Sequence, residues 1–198
     1  MATTKFAIIL TTLALAGFPV LQTASAGEKP IQSAKPINNS QYKVFDEVRF
    51  EISTSIQVDD DHENGVFLTP SLFLDPFESR GRQGLDKLFH PRFFLAANIS
   101  TAGAASQLMA GASWKFPVYR KLFLDLGFGG ALNNAERTGS TDSPNVGSHI
   151  LFHEYATIGY SLKNDWNVTA TVRHSSNANL AKKNSGLTYA GIGIGHAF

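Results

Sequence analysis

The feature that most constrains this chain is a hydrophobic repeat of two residues, running from about residue 43 to the end. Side chains alternate sides along a β-strand, so this period separates an apolar face from a polar one, whereas a helix repeats every 3.6 residues. Leu122, Leu124, Leu126 and Phe128 share one face of 121–128, with Asp125 and Gly127 on the other. In 150–162 the even positions Ile150, Phe152, Ala156, Ile158, Tyr160 and Leu162 are apolar, while His153, Thr157 and Ser161 are odd. Trp166, Val168, Ala170 and Val172 oppose Asn167, Thr169, Thr171 and Arg173 in the same way. The pattern gives eight strands, at 46–57, 65–76, 91–101, 105–116, 121–132, 149–162, 165–176 and 187–198. Each is near the ~9–11 residues with which a tilted strand crosses a membrane.

The connections alternate in length. PVYR and KN, after the fourth and sixth strands, are short, whereas NNAERTGSTDSPNVGS and NANLAKKNSG, after the fifth and seventh, are longer and polar. Short turns at one end and long loops at the other are the habit of bacterial outer-membrane barrels. The connection at 77–90 is long although it falls on the short-turn side, and GLDKLF within it reads as one helical turn. The polar faces are rich in Gly, Ala, Ser and Thr, small enough to fill a narrow barrel. The last strand closes on Phe198, and a terminal aromatic there resembles the signal by which such barrels are recognised for insertion.

These features predict an all-β fold: an eight-stranded antiparallel transmembrane β-barrel of the bacterial outer membrane, spanning 43–198. A soluble eight-stranded barrel such as a lipocalin, with its apolar face inward, is the alternative. The loop alternation, Phe198 and the leader favour the membrane. Closure also supplies stability, because it pairs every strand edge.

The leader is Met1 to Ala26: Lys5, an apolar stretch from Phe6 to Leu15, then Ala24-Ser25-Ala26. A positive start, a short apolar middle and small residues at −3 and −1 are what signal peptidase requires, so export and cleavage are expected. Gly17 and Pro19 stop the apolar run short of the ~20 residues of a membrane anchor. Residues 27–42, polar and carrying two prolines, read as a loose segment leading to the barrel. The formal charge is +1 and falls to zero once Lys5 leaves, so no basic surplus exists to hold nucleic acid. With no cysteine, disulfide scaffolds, thiolate zinc sites and cysteine nucleophiles are excluded.

Chemistry concentrates in Arg173 to Asn184, RHSSNANLAKKN. His174 and Ser176 are two apart on a strand and leave it on one face, the face of Trp166, Val168, Ala170 and Val172. An imidazole and a hydroxyl aimed at lipid are costly unless they act there. An even strand count with periplasmic termini makes the 177–186 hairpin extracellular and sets the pair beside the outer-leaflet acyl chains. A serine within reach of a histidine is a nucleophile with its general base, and an interfacial polar girdle without chemistry is the other reading.

HSSNANL, the later N-S-G and the closing G-I-G-x-x-F resemble the PagL-type lipid A 3-O-deacylases, a family of acyloxyacyl-hydrolase-like outer-membrane proteins. FDEVRFEIS with DHENGVFLTPSLFL resembles the family's first two strands, and PRFFLAANISTAGAASQLMAGASWKF its middle hairpin. FLDLGFGGALNN and LFHEYATIGYSL resemble the strands that follow. The resemblance implies a serine esterase that removes the ester-linked 3-hydroxyacyl chain of lipid A, with lipopolysaccharide as substrate and neither metal nor organic cofactor. It implies Ser176 as nucleophile, His174 as base, Asn184 as oxyanion donor and Asn177 as a structural hairpin residue. Ser175 points inward and is the lesser nucleophile. The family's histidine-orienting acid falls on Thr188, whose hydroxyl can hold the tautomer but carries no charge. An inactive barrel with a structural or surface-interaction role is therefore the second reading, and a homodimer is compatible with either.

A tight turn centred on Asn164 would set Glu154 across from His174, where its carboxylate could replace the missing acid. A slip of one residue would instead oppose Glu154 to Arg173. Asp59-Asp60-Asp61-His62-Glu63 lacks calcium-loop spacing and reads as a solvated hairpin loop. His149 and His153 do not have metal-ligand spacing on a strand.

Overall fold

The computed structural model describes residues 44–58, 61–139 and 143–198. The expected signal segment 1–26 and the expected polar segment 27–42 lie outside the described residues. Eight strands follow one another: β1 (Phe45–Ser55), β2 (Phe67–Leu74), β3 (Arg92–Ser100), β4 (Gln107–Tyr119), β5 (Leu122–Asn133), β6 (Ile150–Ser161), β7 (Trp166–Ser176) and β8 (Leu187–Ala197). Each pairs antiparallel with its neighbour in sequence, and β8 returns to β1 to close the barrel. No helix among the described residues is long and apolar enough to cross a membrane.

The period of two becomes an inside and an outside. Large apolar side chains such as Phe50, Ile52, Leu95, Leu108, Phe128, Ile158, Val168 and Ile192 stand exposed around the wall. Inward positions are buried and mostly polar, which is the reverse of a soluble barrel.

The interior differs from the expectation of small filler. Arg92 bonds Asp46 at 2.6 Å and Asp125 at 2.8 Å, while Arg49 bridges Glu47 and Asp125 at 3.0 Å each. Lys115 reaches Glu47 at 2.7 Å, and Arg173 pairs with Glu51 on the inner face nearer the long loops. Charges this deep persist only where opposite charges and hydrogen bonds face them. Small residues serve mainly as clearance: a side chain at Gly127 would collide with the ring of Tyr155.

At the end where β1 begins and β8 finishes, β4 runs on to Tyr119, so Pro117–Tyr119 of the PVYR stretch is strand, with a bulge between Pro117 and Tyr119. The left-handed Arg120 makes the turn there, and Asn164 and Asp165, both left-handed, turn β6 into β7. The expected helical turn is α1 (Gly84–Phe89), preceded by a 3-10 turn at Ser79–Gly81. Lys87 of α1 is buried, its amine donating to Ser79 O at 3.1 Å. Burial holds that amine below the usual lysine range.

The opposite end carries the 56–66, 101–106, 134–149 and 177–186 loops, and they are laced together. Ala105 N donates to Glu63 at 2.8 Å, and Asn177 Nδ2 donates to Val146 O at 2.7 Å and Lys183 O at 2.6 Å. That lacing frames the end of β7.

Candidate active site

His174 and Ser176 leave β7 on its outward face, at the long-loop end, both partly buried. Their neighbours on the strand, Arg173 and Ser175, are inward and buried. The β7–β8 register sets His174 opposite Thr188, and His174 Nδ1 lies 2.8 Å from Thr188 Oγ1. On the other side, the β6–β7 register centres on Asn164 and sets Glu154 directly across from His174. Glu154 is exposed and forms no hydrogen bond or ion pair among the described residues. The imidazole thus sits between a hydroxyl that holds Nδ1 and a free carboxylate one strand away.

Gly186 fixes the other edge of the ring. Its φ of +71° is left-handed, and a Cβ there would stand 2.8 Å from His174 Cε1 and 3.5 Å from Nε2. Only glycine gives both that backbone and that clearance. The N-x-G spacing was visible in the sequence, but its contact with the imidazole was not.

The hairpin asparagines are largely committed to the turn. Asn184 Oδ1 accepts from Asn177 N at 2.9 Å, and Asn184 Nδ2 donates to Asn179 Oδ1 at 3.1 Å. The second hydrogen of that amide has no partner among the described residues. The carboxamide hydrogens of Asn177 both go to backbone carbonyls, which fits a structural role. His174 and Ser176 make no hydrogen bond to each other, and catalytic contacts of this kind often tighten only around substrate.

A second serine–histidine pair lies within the barrel. Ser175 Oγ sits 2.9 Å from His153 Nδ1, both about 1% exposed. Substrate has no access to it. The pair arises because Ser175 and His153 share a cross-strand register position, the same β6–β7 register that sets Glu154 across from His174.

Glu63 corrects the expectation of a wholly solvated acidic loop. It is 3% exposed and accepts from Ala105 N and from the Tyr189 hydroxyl. Burial pushes its carboxyl above the usual range, although both hydrogen bonds pull the other way. Asp59 and Asp60 lie outside the described residues.

A family model described as lipid A 3-O-deacylase (PagL) matches residues 83–197. Among solved structures, the crystal structure of the outer membrane enzyme PagL superposes at a TM-score of 0.58 with 19% identity, covering 77% of this chain and 99% of that one. A designed transmembrane β-barrel gives 0.48 and 14% identity, over 80% of this chain and 98% of its own. Neisserial surface protein A gives 0.42 and 13%, over 78% and 95%. No curated protein matches the sequence.

Proposed function

Because the chain belongs to the lipid A 3-O-deacylase (PagL) family, we propose that it is an outer-membrane serine esterase removing the ester-linked 3-hydroxyacyl chain of lipid A. One observation carries this reading: Ser176 and His174 share an outward face at the long-loop end, with His174 Nδ1 held 2.8 Å from Thr188 Oγ1. A nucleophile placed there meets ester carbonyls only in the outer leaflet, where lipid A lies.

With Nδ1–H donating to Thr188, Nε2 carries the free lone pair. It takes the proton of Ser176 Oγ as that oxygen attacks the ester carbonyl. The carbonyl oxygen becomes an oxyanion, which the second amide hydrogen of Asn184 would stabilise. Collapse breaks the ester bond, and the imidazolium gives its proton to the departing sugar oxygen, which leaves as a hydroxyl. Water, deprotonated by the same Nε2, then hydrolyses the acyl-serine and releases the hydroxy fatty acid. Thr188 fixes the tautomer, and the Glu154 carboxylate favours the imidazolium through space rather than by holding Nδ1. No step needs a metal or an organic cofactor.

The second reading, a barrel of the same fold without activity, rests on Thr188 standing where the family has an acid. Expression in a host that lacks such activity, followed by mass spectrometry of its lipid A, separates the two. Loss of one hydroxyacyl group supports the esterase. Unchanged lipid A beside correctly folded protein supports the inactive barrel.

A further inference from the structure

Gln57 lies just past the end of β1, in the loop that leads to β2, far in sequence from β7 and β8. Its side-chain amide makes three bonds to the segment facing His174. Nε2 donates to Ser185 O at 3.1 Å and to Gly186 O at 3.2 Å, and Oε1 accepts from Thr188 N at 2.9 Å. The β1–β8 ladder ends just before this point: Ser55 pairs with Tyr189, and Ile56 N donates to Thr188 O at 3.1 Å. Beyond it the β1 backbone turns away, and the Gln57 carboxamide takes the place of the next strand pair. A primary amide can do this because it offers an acceptor and two donors in one plane, as a peptide unit offers one of each.

Gln57 is itself held, its carbonyl 3.0 Å from His62 Nδ1 and its N–H directed at Ser55 Oγ at 3.4 Å. The residues it grips are those that touch the imidazole. Thr188 supplies the oxygen at Nδ1, and Gly186 lies against the Cε1–Nε2 edge.

We infer that Gln57 is a positioning residue: by clamping 185–188 it sets the distance from Thr188 Oγ1 to His174 Nδ1 and so the tautomer that leaves Nε2 free. This rests on the esterase reading for its kinetic consequence, but the clamp itself is a property of the barrel. It matters more here than beside a carboxylate acid. A neutral hydroxyl holds the ring by geometry alone, whereas a charge would tolerate displacement.

The test uses the purified full barrel in detergent micelles with 15N-labelled histidine, compared with Gln57→Ala and Gln57→Glu. The glutamate keeps the acceptor for Thr188 N but loses both donors and sets an oxygen against two carbonyls. In the unmodified barrel the His174 resonances should report protonated Nδ1 and unprotonated Nε2, as expected if Thr188 Oγ1 accepts from Nδ1. Both variants should shift them toward a tautomer mixture while the barrel still migrates as folded on unheated gels. On lipid A, kcat should fall about tenfold or more with KM within about twofold, the mark of a displaced base rather than a lost binding contact. Thr188→Glu combined with Gln57→Ala should recover most of the lost kcat.

Unchanged tautomer and unchanged kcat in both variants overturn the inference. So does an equal loss in the Thr188→Glu background, which would mean a general structural role. If Gln57→Ala fails to fold, Gln57→Glu decides alone, and failure of both also overturns it. A barrel that leaves lipid A intact, while its His174 tautomer still follows residue 57, sinks the esterase reading and leaves the clamp standing.

Discussion

The hydroxyl of Thr188 stands 2.8 Å from His174 Nδ1, on the β8 side of the imidazole, while Glu154 occupies the paired position on the β6 side. On the proposed esterase reading, the two jobs that one carboxylate performs in a serine–histidine–acid triad would be divided between two strands, orienting the ring falling to Thr188 and balancing its charge to Glu154.

That division makes the two positions unequal. Thr188→Val keeps the shape, removes the hydrogen-bond partner and should lower kcat about ten- to a hundredfold, since a misheld imidazole loses the free Nε2. Glu154→Gln should cost at most about fivefold, because an exposed charge pair contributes ~1 kcal/mol or less. Thr188→Glu should raise turnover above that of the unmodified protein. Steady-state kinetics on lipid A checks all three, and a Glu154→Gln variant at the full rate would end its role as a charge partner.

Ser175 and Ser176 provide an internal control, since they are adjacent yet face opposite sides of the wall. If the esterase reading holds, Ser176→Ala should remove activity by at least ~10³-fold, as loss of the attacking oxygen does in serine hydrolases. Ser175→Ala should keep most of it, while leaving His153 without its 2.9 Å partner and lowering stability by about 1 kcal/mol. Lipid A mass spectrometry and the unheated-gel shift read the two effects separately. Equal losses of activity in two folded variants would contradict the facing seen here.

Gly186→Ala should damage the site more than the fold. Alanine at a φ of +71° costs ~1 kcal/mol, which a closed barrel tolerates. Its methyl group, however, would meet His174 Cε1 at 2.8 Å and push the ring off Thr188. We expect turnover to fall about a hundredfold with the folded fraction unchanged. Near-normal turnover would show that the ring has room to move.

The Glu63 latch should weaken as pH rises. Its carboxyl binds protons more tightly in the closed loop than in an open one, because burial raises its pKa. This contribution to closure is therefore fully present below the free glutamate value of about 4.3 and is lost as pH climbs through the raised value. Hydrogen exchange at the Ala105 amide, which donates to Glu63 at 2.8 Å, should show protection declining over that window after correction for intrinsic exchange. Glu63→Gln should flatten the decline.

The sequence by itself determined the strands, their facing and the place of the reactive pair. A period of two leaves each side chain only two sides, and the tight turn near Asn164 left two registers, of which the structure has the one that sets Glu154 across from His174. The sequence showed no sign of Gln57 at Gly186 and Thr188, of Glu63 under Tyr189, or of the arginines threaded among Asp46, Glu47 and Asp125. Those contacts join residues up to 131 positions apart. They exist only once β8 closes on β1 and the narrow lumen brings side chains from non-neighbouring strands within hydrogen-bond reach. Local alternation encodes which way a side chain points. What it meets there depends on how far around the barrel each strand lies, and that is fixed only by closure.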